Sequence, residues 1–292
     1  MRITQSMLSN NMLYNLSSSY DRLGKLQDQI SSQKKINRPS DDPVVAMKGI
    51  TYRRNLQEVE QYKRNFTEAY NWIDNSDSAL DKASQALQRI SELVTQASSD
   101  TYDESQRESI SEEIKQLKDH LIEIANTKVG DKYIFNGTNT LNQPVNADGS
   151  VVSDNSNSVQ IELSKGVFIP VNVTPDDVFN GTLFGDIDDL INDLEDSTSD
   201  GSSLNTYIDK INNLLSNVSN ARSDLGARQN RVELMENRID EQEVIANKTL
   251  SDNEDIDFEK VVTELLAQES VHRAALSAGS RIIQPTLMDF LS

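Results

Sequence analysis

One run of hydrophobic residues constrains this chain more than any other feature. Val59, Tyr62, Phe66, Ala69, Ile73, Ser76, Leu80, Ala83, Leu87, Ile90, Val94 and Ala97 follow one another in steps of three and four. Only Ser76 is polar, and it is small. A seam that repeats every 3.5 residues on average demands a long helix packed lengthwise against others. A second seam follows at Ile110, Ile114, Leu117, Leu121 and Ile124. A third runs Leu204, Ile208, Ile211, Leu215, Val218, Arg222, Leu225, Gln229, Val232, Glu236 and Ile239. Arg222, Gln229 and Glu236 interrupt it, which leaves its packing partner open.

Between the second and third seams the texture changes. Residues 136–185 are rich in Asn, Gly, Asp and Ser, with β-branched runs at Val151–Val152, Val159–Leu163 and Val167–Val173 that read as strands. Asp148-Gly149 reads as a hairpin turn, because glycine tolerates positive φ. These signals predict a small β domain inserted into a mainly α chain. The acidic run 186–202 follows and reads as a solvated helix and loop. It lacks the alternating ligand pattern, central glycine and terminal glutamate of a calcium loop.

The two ends carry seams of their own. Leu13, Leu16, Tyr20, Leu23, Gln27 and Ile30 step by three and four in the first arm. In the last arm Val262, Leu266, Leu276, Ile283 and Leu287 share a helical face, and Pro285 tests the final turns. From Ile3 to Tyr20 no side chain carries a charge, and apolar residues alternate with Ser, Thr, Asn and Gln. A lone surface helix ordinarily carries a charged outer face. A neutral polar face suits a helix enclosed on several sides, where a charge would need a partner. The arm is therefore expected to order when related subunits surround it. Its predicted contact residues are Leu13, Leu16, Tyr20, Leu23, Ile30, Val262, Leu266, Leu276, Ile283 and Leu287.

"RPSDDPVV" (38–45) separates the first arm from the long seam. Arg38 and Asp42 precede Pro39 and Pro43, and a residue before proline is pushed out of helical geometry. Asp42 can cap the next helix with Pro43 at its first position, where the missing N–H is no loss. Asp41 adds negative charge near that helix's positive end. The segment is a break and a cap, where the arm can take its own direction.

Composition removes several chemistries. The chain of 292 residues has no cysteine, which excludes disulfides, thiolate catalysis and Cys-ligated zinc. Its two histidines lie far apart, and no Gly-x-Ser-x-Gly elbow or phosphate loop occurs, so no enzyme, cofactor or metal is expected. The net charge of -19 makes nucleic acid and anionic membrane poor partners. Residues 1–64 nevertheless carry 11 Lys and Arg against 6 Asp and Glu. No stretch of about 18 apolar residues spans a bilayer, and the N-terminal residues lack an apolar signal core.

The seams at both ends, "INRPSDDPVVAMKGI" (36–50), "VGDKYIFNGTNT" (129–140) and "FEKVVTELLAQESVHRAALSAGSRIIQPTLMDFL" (258–291) together resemble the flagellin family. The likeness covers roughly residues 1–140 and 200–292, and is greatest to members that sit where the flagellar hook meets the filament. It implies a long-helix coiled-coil rod with paired terminal helices and a small inserted β domain. Residues 1–38 and 255–292 would form an inner polymerisation domain, 39–135 and 186–254 a rod, and 136–185 the β insert. It also implies a secreted structural subunit of the bacterial flagellum, passed through type III export. Its partners would be a ring of its own copies, hook-associated protein 1, flagellin and a flagellar export chaperone. The alternative within the family is a flagellin proper.

Overall fold

The computed structural model describes residues 5–98, 103–152, 155–196 and 201–283. It is mainly helical. In chain order the elements are α1 (Gln5–Ser32), α2 (Pro43–Ala97), α3 (Glu104–Ala125), β1 (Lys128–Val129), β2 (Lys132–Tyr133), β3 (Gln160–Ser164), β4 (Val167–Pro170), α4 (Pro175–Val178), α5 (Gly181–Glu195), α6 (Gly201–Glu254) and α7 (Phe258–Ile283). The chain forms two compact units, residues 59–241 and the paired ends 1–58 and 242–292.

In the unit 59–241, α2 and α6 lie antiparallel along the predicted seams. Every α2 seam position is buried except Tyr62, which packs against the core from its edge. The second seam lies on α3, where Ile110, Ile114, Leu121 and Ile124 are buried. On α6, Leu204, Ile211, Val218, Leu225, Val232 and Ile239 are buried in turn.

The three polar interruptions of the third seam have partners on α2. Arg222 reaches Asp77 at 3.0 Å and Asp81 at 2.7 Å, Gln229 donates to Asp74 at 3.4 Å, and Glu236 accepts from the Tyr70 hydroxyl at 2.7 Å. Lys63 and Asp240 add an ion pair at 3.0 Å. Partners climb α2 as they descend α6, so these polar contacts pin the antiparallel register of an otherwise apolar seam.

Within the acidic run 186–202, the residues up to Glu195 belong to α5 and depart from the solvated helix that their acidity suggested. Asn180 caps α5 by accepting from the Leu183 amide at 3.0 Å. Leu183, Phe184, Ile187, Leu190, Ile191 and Leu194 then form a buried face. The carboxylates occupy the rim and pair with neighbours: Asp186 with Lys210 (2.8 Å), Asp188 with Lys118 (2.6 Å) and Glu195 with Lys115 (2.6 Å). Asp193 accepts from the Tyr207 hydroxyl at 2.7 Å.

Two antiparallel hairpins are present, one just before the insert and one within it. One is the short β1–β2 pair, Lys128 opposite Tyr133, which the sequence pattern did not show. The other is β3–β4, Ile161 opposite Ile169, with a register shift between Glu162 and Ser164. Its turn uses Gly166 at φ +74°, with open space around it, and Lys165 beside it is exposed. The predicted third strand ends at Pro170, which cannot donate to a ladder. Beyond it Val171 still donates to Val159 at 3.0 Å, and the Asn172 side chain accepts from the Val159 amide at 2.7 Å. The Asp148-Gly149 turn is present, with Gly149 at φ +88° and an isolated bridge joining Val145 and Val151. The Phe135 ring, just before the insert, meets the Phe179 ring within it edge to face at 4.9 Å.

Candidate assembly surfaces

In the unit formed by the two ends, α1 and α7 pack against each other antiparallel. On α1 Ser19 is buried, and Met12, Leu16, Leu23, Leu26 and Ile30 are half-buried in step with it. On α7 Val261 and Gly279 are buried, and Leu265, Gln268, His272 and Ala275 between them are half-buried. Both sets step by four and three, which is the spacing of one helix face.

Much of that shared face is small or polar. The buried Ser19 hydroxyl accepts from Gln268 at 3.0 Å and lies 3.2 Å from Nδ1 of His272. The rings of Tyr20 and His272 are 6.0 Å apart at an angle of 51°. Gly279 is buried because Met12 crosses its α-carbon, so a Cβ there would overlap the Met12 thioether and terminal methyl.

The predicted contact residues divide between two faces. Leu16, Leu23 and Ile30 lie on the face α1 shows to α7, and Val262 is half-buried. Leu13 and Tyr20 on α1, and Leu266 and Leu276 on α7, are exposed. Met7, Leu8 and Tyr14 on α1, and Val271 on α7, extend the exposed apolar set. Ile283 ends α7, its side chain outside the described residues; Leu287 and Pro285 also lie outside them. After the terminal helices have paired, each still carries a row of uncovered apolar side chains, and the outermost, Tyr14, is 76% exposed.

The turn between α1 and α2 is built by the residues its sequence singles out. The Arg38 amide donates to the Asp41 carboxylate at 3.1 Å, and the Asp41 amide donates back to the Arg38 carbonyl at 3.0 Å. Pro39 sits inside that turn. Asp41 also pairs with Lys25 of α1 at 3.6 Å. Asp42 accepts from the amides of Val44 (2.9 Å) and Val45 (3.1 Å), satisfying two of the free donors at the start of α2, and Pro43 is its first residue.

A second set of residues at this turn escaped sequence reasoning. Lys34 bonds Asp255 at 2.6 Å, and Arg53 approaches the buried Glu254 at 2.8 Å. The hydrogen bond to Asp255 raises the Lys34 pKa, and the same contact, aided by the Ser251 hydroxyl, lowers that of Asp255. The available signal was "SDNEDID" (251–257), whose carboxylates belong to a helix end rather than to a cation.

Among the described residues, no group of three or more His, Cys, Asp and Glu is placed to hold an ion. His120 lies on the surface of α3, 3.6 Å from Glu123. Trp72 is buried and donates to Glu68 at 3.2 Å. No helix among the described residues is long and apolar enough to cross a membrane.

Comparison with known proteins decides what kind of chain this is. Residues 3–140 match the bacterial flagellin N-terminal helical region, and residues 208–291 the bacterial flagellin C-terminal helical region. The chain belongs to the flagellin family. Among curated relatives, flagellar hook-associated protein 3 of Escherichia coli (strain K12) is 25% identical over 181 residues. That match spans 62% of this chain and 57% of the relative's length. A hook-associated protein structure from Vibrio parahaemolyticus superimposes with a TM-score of 0.68 at 23% identity, over 74% of this chain and all of that one. The flagellar junction protein FlgL from Legionella pneumophila gives 0.59 at 18% identity, over 71% of this chain and all of that one. These likenesses establish the fold. In this flagellin-family chain the two matched regions contain α1, α2, α7 and most of α6, and the β3–β4 hairpin lies between them.

Proposed function

We propose that this chain is a structural subunit of the bacterial flagellum, placed at the junction between hook and filament. Hook-associated protein 1 would lie on one side and flagellin on the other. The observation that carries the proposal is the uncovered apolar row on each terminal helix, Leu13 and Tyr20 on α1 and Leu266 and Leu276 on α7. An internal pairing that leaves such rows bare suits helices that pack next against copies of themselves, in a ring. The relatives named as hook-associated protein 3 favour the junction over the bulk filament.

In this reading residues 1–38 and 255–292 form the polymerisation domain, residues 39–135 and 186–254 the rod, and residues 136–185 the insert. Hook-associated protein 1, flagellin and an export chaperone that shields the last helix are its partners. The subunit leaves the cell by flagellar export and works outside it.

The test adds purified subunit to isolated hooks bearing hook-associated protein 1, then flagellin, and scores filament growth by electron microscopy. Leu13→Glu and Leu266→Glu should abolish growth while leaving the helical circular dichroism unchanged, because both side chains are on the outer face. Leu16→Asp should weaken the α1·α7 pair itself. Wild-type growth with both outer-face variants would defeat the proposal. Abundance of the chain along sheared filaments would favour the bulk-filament reading, as would self-polymerisation without hooks.

A further inference from the structure

The chain leaves its helices at two places far apart in sequence, and the structure brings these breaks together. Gln33 closes α1 with φ +57°, a left-handed geometry uncommon outside glycine. The next residue, Lys34, forms an isolated antiparallel bridge with Asp255, just past the end of α6. The Lys35 amide donates to the Glu254 carbonyl at 2.6 Å, and the Ile256 amide donates to the Gln33 carbonyl at 3.2 Å.

Side chains close around this bridge. Lys34 Nζ lies 2.6 Å from Asp255 and 3.6 Å from Glu254. Arg53 of α2 reaches Glu254 at 2.8 Å, an ion pair without hydrogen-bond alignment. Lys35 Nζ donates to the Asp252 carbonyl at 2.5 Å, and Asn253 to the Val45 carbonyl at 3.1 Å. Glu254 is only 3% exposed, and it fits against α2 because Gly49 has no side chain; a Cβ there would overlap its carboxylate. A buried carboxylate needs its cations nearby, and here they come from the α1–α2 turn and from α2.

We propose that the two breaks are one charge-clasped joint, which gives α1 and α7 a common root, so that the terminal helices seat and release together rather than singly. Two tails on separate linkers meet at a concentration set by the linkers, whereas tails rooted side by side meet far more often. The joint also sets their register. Counted outward along each helix from the Lys34–Asp255 bridge, His272 lies two positions farther out than its partner Ser19. Gly279 likewise lies two positions farther out than Met12. The same offset at both contacts means the helices run in step from the bridge outward. The inference extends the assembly reading, because a seated pair is the surface that would be offered to neighbours.

The absence of native cysteine makes the test clean. Lys34 and Asp255 face each other as a non-hydrogen-bonded antiparallel pair, a spacing of about 4.5 Å between α-carbons that a disulfide can span. The full-length Lys34→Cys/Asp255→Cys chain should close this bond intramolecularly in a mild glutathione buffer. Amide hydrogen exchange along both α1 and α7 should then accelerate together on reduction, by about tenfold. Glu254→Gln, which keeps side-chain volume, should speed both helices by similar factors while residues 66–94 of α2 stay protected. Failure of the disulfide to close, equal exchange in the oxidised and reduced forms, or loss of protection in only one helix would overturn the joint. These readouts need no assembly. A free chain with an intact joint that fails to add to hooks therefore counts against the assembly reading alone.

Discussion

Arg222 offers the sharpest check on how α2 and α6 are aligned. Its guanidinium contacts Asp77 at 3.0 and 3.3 Å and Asp81 at 2.7 Å. The forked contact to Asp77 raises the Arg222 pKa. Arg222→Met keeps most of the stem's packing and removes the charge. An exposed ion pair contributes about 0.2–1 kcal/mol, and a shielded charged hydrogen bond about 1.5–3 kcal/mol. The Arg222 side chain is 33% exposed and its partners nearly half exposed, so solvent screening puts the pair near the lower range. Removing the cation also leaves two aspartates one helical turn apart, a repulsion of a few tenths of a kcal/mol. The expected loss is about 0.5–1.5 kcal/mol. In double-mutant cycles the coupling to Asp77, with two contacts, should exceed that to Asp81, with one. Urea unfolding followed by fluorescence reads this directly, because Trp72 is the single tryptophan and is buried on the same helix, little more than a turn from Asp77. High salt should shrink the coupling. Couplings indistinguishable from zero at both aspartates, or a higher unfolding midpoint for Arg222→Met, would refute the assignment of Arg222 as a register pin.

Two further outcomes follow from the geometry. Gly279→Ala ordinarily stabilises a helix by about 1 kcal/mol. Here the new Cβ meets the flexible end of Met12, which must swing aside, so the gain should fall short of that figure and Met12→Ala should restore it in full; amide exchange in α7 decides, and an equal gain with and without Met12 would contradict the contact. Burial first, then the hydrogen bonds to Glu236 and Asp193, push the pKa values of Tyr70 and Tyr207 well above the ordinary 10.0. A raised folded-state value favours the neutral phenol, so this stability is whole below pH 10.0 and is lost as pH climbs past it. Ultraviolet difference titration should show these two of eight tyrosines ionising late, with unfolding. A single step for all eight near the ordinary value would argue against the buried contacts.

How much of this was legible beforehand differs from helix to helix. The α2 seam could be read residue by residue, because a core-facing stripe of apolar side chains is a one-dimensional pattern with a fixed period. On α6 the polarity of Arg222, Gln229 and Glu236 was visible, but their partners lie far upstream on α2, beyond any local window. On α5 the density of carboxylates drew attention from Leu183, Ile187, Leu190, Ile191 and Leu194, whose spacing carried the burial signal. The β1 and β2 strands are two residues each, too short to show a period. The terminal helices were the most instructive. A hydrophobicity reading chose Leu16, Leu23 and Ile30, which face α7, together with Leu13, Tyr20, Leu266 and Leu276, which are exposed. The face shared by α1 and α7 depends on Ser19, Gln268, His272, Ala275 and Gly279, which are chosen for size and hydrogen bonding. The Asp42 cap followed from rules that act within a single helical turn. The Lys34–Asp255 bridge joins residues far apart in sequence, and no local rule could have found it.

The tip of the β3–β4 hairpin has a consequence for how such a chain can vary. Gly166 meets nothing within 4 Å, and Lys165 beside it is exposed, so extra chain at this corner would displace no packed atom. Doubling a loop's length costs only about 0.6 kcal/mol in closure entropy. Peptides, or whole modules whose ends lie close together, could be carried there as passengers. The exterior could then diversify while the paired helices beneath keep their alignment.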